Sequence, residues 1–416
     1  MADIHRMRPR SAIVVGAGIV GLSTAWFLQE HGISVTVVDR TGVAAGASWG
    51  NAGWIAPALS IPLNDPRTLR YALRWLPNRA APVRIPLSTD LTLWRFLLRF
   101  AANCRESSWT RAVRANLTLN HECMAAYDEL VSNGVDAPII DAPITALFRS
   151  SADAEHLLDQ LSRLQDAGQP SATTELTAAE LREQVPLASS GVAVGVRING
   201  QRFVNPGRFV RALASSVVER GGVLATIDVT DVRTSGRGVA VQPHTGSALT
   251  ADVAVIATGA WLPKLARRWI RVPVQAGRGY SFTVPVERPV FGPIYLPDVR
   301  VACTPLEGKL RVTSVMELRR PEAPVSAAVV DAIVDAAAGF FDGVRWAERD
   351  EIWVGPRPLS PDGRPLVGPV VENRIFVAGG HGMWGMKQGP ATGRLLAGQI
   401  TTGEQPPGLR EFDPLR

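Results

Sequence analysis

Cysteine is scarce in this 416-residue chain: Cys104, Cys123 and Cys303 are far apart, with no pairing pattern and no metal-ligand spacing. A disulfide framework and a cysteine-based metal site are excluded, and no metal is expected. No apolar run reaches the length of a membrane-spanning helix, because the longest are strand-length or broken by charge. Met1 to Arg10 is polar and basic and leads at once into a buried-strand pattern, so no signal peptide and a reducing cytoplasmic compartment are expected. Runs of basic residues with interleaved aromatics are also missing, which argues against nucleic acid. The net charge of +6 comes from arginine, which far outnumbers lysine and is spread along the whole chain. It suits anionic substrates or acidic lipid as well as a simple composition bias. At 46% hydrophobic and 20% charged, the composition is that of a globular protein long enough for two domains.

The strongest signal is the opening stretch from Ser11 to Asp39. An apolar β-prone run leads into a glycine turn at Gly16, Gly18 and Gly21, a helix of about fourteen residues, a second apolar run and a terminal acid. Gly16 permits the tight turn, Gly18 lets the backbone approach a pyrophosphate, and Gly21 lets helix and strand pack closely. The pyrophosphate would sit on the unpaired amides at the helix start, around Ile19 and Val20, and Asp39 would take a ribose hydroxyl. A dinucleotide site follows, without a choice between NAD and FAD.

Arg40 to Pro57 is rich in glycine and small residues and too irregular for helix or strand. A long loop of this kind suits a larger cofactor met by main-chain amides, with Ser48, Asn51, Ala52 and Gly53 as candidates beside the pyrophosphate and ring. Asp252 to Trp261 is a buried strand ending in Ala257-Thr258-Gly259, a parallel partner for the first strand. Together these features point to FAD. The motifs Gly-Ala-Gly-Ile-Val-Gly, Asp-Arg and Gly-Ala-Ser-Trp-Gly-Asn-Ala-Gly resemble the D-amino-acid oxidase superfamily of FAD-dependent oxidoreductases, and most closely its bacterial D-amino-acid dehydrogenase branch.

The resemblance implies an α/β fold: a Rossmann-like FAD-binding domain and an α+β substrate domain with a mostly antiparallel sheet. The expected division gives residues 9–58, 150–190, 200–268 and 358–405 to the first, and 59–149, 191–199 and 269–357, with a helical insertion, to the second. It also adds Arg40, Ala47, Val229, Trp261 and the glycine turn with Gly380, His381, Gly382, Gly385 and Met386 to the cofactor site. A helix beginning near Gly389 is expected to aim its N-terminus at the flavin pyrimidine edge, where reduction places negative charge. With no cysteine in that turn or beside Lys387, the FAD is expected to be non-covalent.

The stretch Leu73 to Cys104, with Trp75, Trp94 and an amphipathic Leu93 to Phe100 segment, is similar to an insertion of the dehydrogenase branch, whose members are peripherally membrane-associated. The segment itself fits either a membrane-surface helix or a lid on its own domain. Arg111 to Asn133 reads as one long helix, and Thr177 with Glu180 as a capping box.

For the chemistry, Arg357 lies between two prolines in Gly-Pro-Arg-Pro, and a planar guanidinium is the side chain best suited to a carboxylate. The resemblance implies that Arg357 clamps the substrate carboxylate, that Tyr280 lies near the substrate, and that His381 lies near the flavin. Arg278, Arg202 and Gln388 are weaker candidates. The expected reaction is oxidation of a D-amino acid by hydride transfer from Cα to flavin N5, giving an imino acid and then a 2-oxo acid and ammonia. A quinone, a carrier or O2 would be the electron acceptor. The alternatives are an oxidase of glycine, sarcosine or a cyclic secondary amine, and a non-catalytic FAD-binding subunit of a hetero-oligomer.

Overall fold

The computed structural model describes residues 8–67, 83–85 and 89–416. Leu73 to Pro77, with Trp75, lies outside the described residues. Two large sheets organise the rest.

The first has six strands in the order β10 (Val223–Thr226), β2 (Ser34–Asp39), β1 (Ser11–Val15), β14 (Val253–Ile256), β21 (Ile375–Gly379) and β20 (Leu366–Val371). All pair in parallel except β20, which runs antiparallel to β21. Both faces are covered, which is why these strands read as continuous apolar runs. Ala12 and Val14 face a core shared with helices α1 (Ile19–Glu30), α3 (Glu106–Ser132), α6 (Pro206–Glu219) and α9 (Gly385–Thr402). Ile13 and Val15 face a second core. That core lies beneath the small antiparallel sheet β11 (Val229–Ser235), β12 (Gly238–Pro243) and β13 (Leu249–Ala251) and helix α7 (Leu262–Ala266). Helix α1 is therefore buried nearly all round. Its crossing with α9 is tight, since a Cβ at Gly393 would come within 2.6 Å of the Ser23 carbonyl carbon.

The second sheet has nine strands. Its main path is β19 (Asp350–Leu359), β15 (Gln275–Pro285), β18 (Lys309–Leu318), β17 (Val301–Leu306), β16 (Ile294–Leu296), β6 (Ile144–Phe148), β8 (Val194–Ile198) and β7 (Thr173–Leu176); β4 (Val83–Arg84) pairs with the end of β18. It is antiparallel except for the β16–β6 and β4–β18 pairs, so its mostly antiparallel character matches the expectation. Helix α8 (Ala327–Ala338) covers one face. A short three-stranded sheet, β3 (Trp54–Ile55), β9 (Arg202–Phe203) and β5 (Ile140–Asp141), completes the strands. The capping box at Thr177 and Glu180 opens helix α5 (Ala178–Gln184) as expected.

Three expectations differ from the structure. Residues 150–190, placed with the cofactor-binding side, build the large sheet instead: β7 pairs with β8, and helix α4 (Ser151–Asp166) packs on the β6–β8 core. Helix α3, placed with the substrate side, packs on the first sheet's helical layer. Helix α9 starts at Gly385 rather than near Gly389. Pro390 lies inside it, and its missing N–H would have bonded the Met386 carbonyl, which accepts the Tyr127 hydroxyl at 2.8 Å instead. Helix α2 (Leu91–Asn103) is amphipathic as expected, capped by Asp90; Leu93 and Phe96 are buried while Leu91 and Leu98 are exposed. Among the described residues no helix is long and apolar enough to cross a membrane.

Candidate active site

A cleft opens at the carboxyl ends of β1, β2 and β14 and runs beneath the end of β19. Gly16 takes φ +117°, and a Cβ there would come within 2.4 Å of the Ala257 carbonyl, so only glycine lets β1 turn this close to β14. Gly21 fulfils the packing role assigned to it, since its Cβ would meet the Gly16 carbonyl at 2.0 Å. Helix α1 starts with no side-chain cap at Gly18. Gly18, Ile19 and Val20 face the cleft, and the Ile19 amide donates to Ser48 Oγ at 3.1 Å.

Asp39 lines the cleft at the end of β2, but its carboxylate already braces the local backbone. One oxygen accepts from the Ala17 amide at 2.9 Å, and the other from the Thr41 and Gly42 amides at 2.9 and 3.1 Å. Any ribose contact therefore shares an acid that also fixes the glycine turn and the loop after β2. Arg40 lies over the Trp261 ring at 4.2 Å, and the Trp261 indole N–H donates to Glu322. Ala47, Ser48, Asn51, Val229, Ala257, Thr258 and Gly259 also line the cleft, as do His381, Gly382, Gly385 and Met386 from the second glycine turn.

Ala52, Gly53 and Gly380 do not line it. The Ala52 carbonyl accepts from Thr304 Oγ1 at 2.7 Å, a Gly53 Cβ would strike the Val204 carbonyl at 2.1 Å, and Gly380 packs against Leu366. Their glycines and small residues serve the loop's packing. The sequence reading missed Thr41, Asp228 and Lys264, which sit in the wall, the last two as an ion pair at 3.5 Å. Thr41 directly follows Asp39 and Arg40, whereas no motif marks Asp228 and Lys264, because chain segments that meet only in the folded protein bring them there.

Arg357 comes from β19. A Cβ at Gly279, on the adjacent strand, would lie 2.1 Å from Arg357 Nη2, so the guanidinium lies flat over a glycine. Its described protein partner is the Val315 carbonyl, to which Nη1 donates at 3.2 Å. No carboxylate among the described residues pairs with it, and burial without a counter-charge pulls it down to about 10. Arg278 and Arg311 on the same sheet each have an acid, Glu317 at 2.9 Å and Glu351 at 3.0 Å.

Tyr280 is not in the cleft. It alternates with Gly279 and projects to the opposite face, where it is fully buried under α8 and its hydroxyl donates to Glu317 at 3.1 Å. Its expected place near the substrate is thus corrected. Tyr280 joins Arg278 and Glu317 in a polar cluster inside the core. Arg202 is tied to Asp128 and Asp141, and Gln388 to Asn116 and Asn120, so both are held by protein partners. His381 is buried in the cleft wall; Nε2 bonds Thr392 Oγ1 at 3.0 Å, Nδ1 has no described partner, and burial pulls the imidazole down to about 4. Burial thus favours its neutral form.

The glycine-lined cleft, two helix starts facing it, and the unpartnered polar atoms of Thr258 and His381 fit an elongated dinucleotide with a polar ring. A family model described as FAD dependent oxidoreductase matches residues 11–399. The chain belongs to this family. It is an FAD-dependent oxidoreductase related to amino-acid dehydrogenases and oxidases. D-amino acid dehydrogenase from Methylobacterium nodulans is 29% identical over 399 residues, covering 94% of each chain. The enzyme of the same name from Vibrio vulnificus is 29% identical over 419 residues, covering 96% of this chain and 99% of its own. Glycine oxidase from Geobacillus kaustophilus shares the fold with a TM-score of 0.73 at 23% identity, covering 98% and 99% of the two chains. The cysteines Cys104, Cys123 and Cys303 are buried and none lines the cleft.

Proposed function

We propose that the chain oxidises a D-amino acid, with Arg357 clamping the substrate carboxylate and a membrane quinone or a carrier as electron acceptor. The observation that carries this reading is the guanidinium of Arg357: it opens on the cofactor cleft with no acid partner among the described residues, and a bidentate carboxylate is the ligand that satisfies it. The curated relatives named D-amino acid dehydrogenase support the stereochemistry and the acceptor class. Exposed Leu91 and Leu98 on α2 support a peripheral contact with a membrane surface.

Bound FAD supplies the two-electron acceptor for the hydride that leaves Cα. Gly16 to Val20 and the start of α9 would hold its phosphates and ring edge. Arg357 orients the substrate, and burial beneath the sheet excludes water. Burial holds the His381 imidazole at about 4, which makes it a weak base at neutral pH, and among the other described groups of the cleft wall the carboxylates of Asp39 and Asp228 are engaged by backbone amides and by Lys264. Catalysis then rests on positioning a neutral amine and its Cα–H, after which the imino acid hydrolyses in solvent to the 2-oxo acid and ammonia.

Anaerobic titration of the holoenzyme with D- and L-amino acids, glycine, sarcosine and proline analogues tests this reading. Bleaching of the flavin by D-amino acids is expected. Bleaching by glycine or sarcosine alone, with peroxide formed in air at the turnover rate, would replace it with an amine oxidase, and no bleaching by any of them would favour a non-catalytic subunit.

A further inference from the structure

Strand β18 carries one residue more than its partner where it passes the arginine. Arg278 pairs with Glu317 and Tyr280 with Ser314, so Val315 and Met316 together oppose the single residue Gly279. This is a β-bulge, which leaves one residue of the strand unpaired and re-aims its groups. Val315 takes φ +58° there, in the left-handed region. Glycine is the residue suited to that position of a bulge, whereas the branched Cβ of a valine crowds the following carbonyl. Glu307 and Asn373 also have positive φ, but they sit in hairpin turns, where it is ordinary. Val315 has it inside a ten-residue strand.

Strain of this kind persists only where the surrounding structure imposes it, and it gathers at functional positions. Here its effect is local. Strands lie in the order β19, β15, β18. The Arg357 guanidinium, coming from β19, lies over Gly279 of β15, and its Nη1 donates to the Val315 carbonyl at 3.2 Å. A regular antiparallel ladder keeps its carbonyls turned towards neighbouring strands, where a side chain lying over the sheet face cannot take one without breaking a ladder bond. The bulge frees a carbonyl from that ladder. Its chemistry also fits the task, because a carbonyl orients the fork without cancelling its charge. Arg278 and Arg311 on the same sheet each face an acid instead.

We propose that the bulge at Val315 is a positioning element for the carboxylate clamp: its carbonyl fixes the rotation of the Arg357 guanidinium, so that the remaining donors meet a substrate carboxylate already oriented. The inference rests on the reading of Arg357 above as the clamp. A planar fork held at one nitrogen does not have to be ordered by the ligand, and less affinity is lost to ordering it.

Two variants of the FAD-loaded enzyme test the bulge. Deletion of Val315 restores one-to-one pairing opposite Gly279 and withdraws the carbonyl, whereas Val315→Gly keeps it, because glycine takes positive φ freely. The probe is the perturbation of the flavin's visible spectrum by 2-oxobutanoate and by its uncharged amide. The wild type is expected to bind the acid more tightly than the amide. Deletion should reduce that ratio by at least about tenfold, the worth of one charge-assisted hydrogen bond, and Val315→Gly should retain most of it. A merely structural role weakens both ligands alike and leaves the ratio. If the deletion loses its flavin, Val315→Pro takes its place, since proline is tolerated at bulges and locks φ at about −65°. Crystal structures of the variants read the same point without a ligand: the guanidinium is expected over Gly279 in Val315→Gly and displaced in the other. A guanidinium still over Gly279 with an unchanged ratio, or a glycine variant as impaired as the deletion, overturns the proposal. If the wild type does not prefer the acid and the deletion still displaces the guanidinium, the clamp fails and the positioning role of the bulge stands.

Discussion

Replacing Gly279 with alanine isolates the carboxylate clamp from the stability of the fold. The new Cβ would lie 2.1 Å from Arg357 Nη2, 2.2 Å from Cζ and 2.5 Å from Nε. Ordinary contact between such atoms is about 3.5 Å, so the guanidinium must retreat by more than about 1 Å. The colliding atoms are the end of a flexible side chain rather than backbone, so the sheet itself need not deform, and alanine is acceptable in a strand. Stability should change by less than about 1 kcal/mol. A retreat of about 1 Å takes a charge-assisted hydrogen bond beyond its working range, and losing one of the two costs about 1.5–3 kcal/mol. Apparent KM for the amino acid should therefore rise by about 10- to 150-fold, while FAD content and melting temperature stay near wild type. Steady-state kinetics paired with thermal melts and flavin content decide the matter. A KM within about twofold of wild type would show that the guanidinium over Gly279 does not bind substrate, and a collapse of the melting temperature would show that the glycine serves the sheet instead.

Arg357→Ala should raise KM at least about a hundredfold, because it removes both donors, and an unchanged KM would remove Arg357 from the substrate site. Asp39→Ala should weaken FAD at least about tenfold, measured as the Kd of the apoprotein for added FAD, because the carboxylate holds the Ala17, Thr41 and Gly42 amides as well as facing the cleft. Lys387 is buried against Ser60 and the Trp384 ring, and burial pulls its ammonium from 10.5 down to about 7. The burden is full below pH 7 and vanishes above about 10.5, so stability rises with pH across that window, and Lys387→Met should stabilise by up to about 4 kcal/mol at pH 7, with the gain fading towards pH 10.5 in thermal melts.

The legible parts of the fold are those where one local pattern carries the whole constraint. The turn at Gly16 to Gly21, the loop to Gly53 and the turn at Gly380 to Met386 each need glycine for a stated backbone approach, and the sequence shows them directly. The side to which Tyr280 points was not legible, because β15 is buried on both faces and has no alternation of polar and apolar residues to read. The place of residues 150–190 was hidden for a different reason. Edge strand β7 is mostly exposed and its partner β8 lies some twenty residues on, so its membership of the large sheet is decided by pairing rather than by composition. Lys264 and Asp228 escaped because a wall built from chain ends that meet only after folding leaves no local signature. The early start of α9 needed knowledge of Tyr127, whose hydroxyl replaces the bond that Pro390 forgoes.

The two sheets divide recognition by the kind of group that performs it. At the first sheet the close approaches are between backbones: Gly16 against the Ala257 carbonyl and Gly21 against the Gly16 carbonyl. Adding a single carbon there forces two main chains apart, so the cofactor cradle has little freedom to vary. On the second sheet the glycines at 279 and 355 abut side chains, those of Arg357 and Trp353, although Ala47 also closes on Gly355. A cradle built from main chain and a roof built from side chains therefore allow substrate preference to shift by point substitution while the cofactor stays the same. This explains in physical terms how one fold can carry enzymes of one cofactor and different amine substrates. Arg357 is the exception on the roof. Among the described residues it is the sheet's cation that lines the cleft without an acid, and in the proposed reading the substrate's carboxylate satisfies its charge.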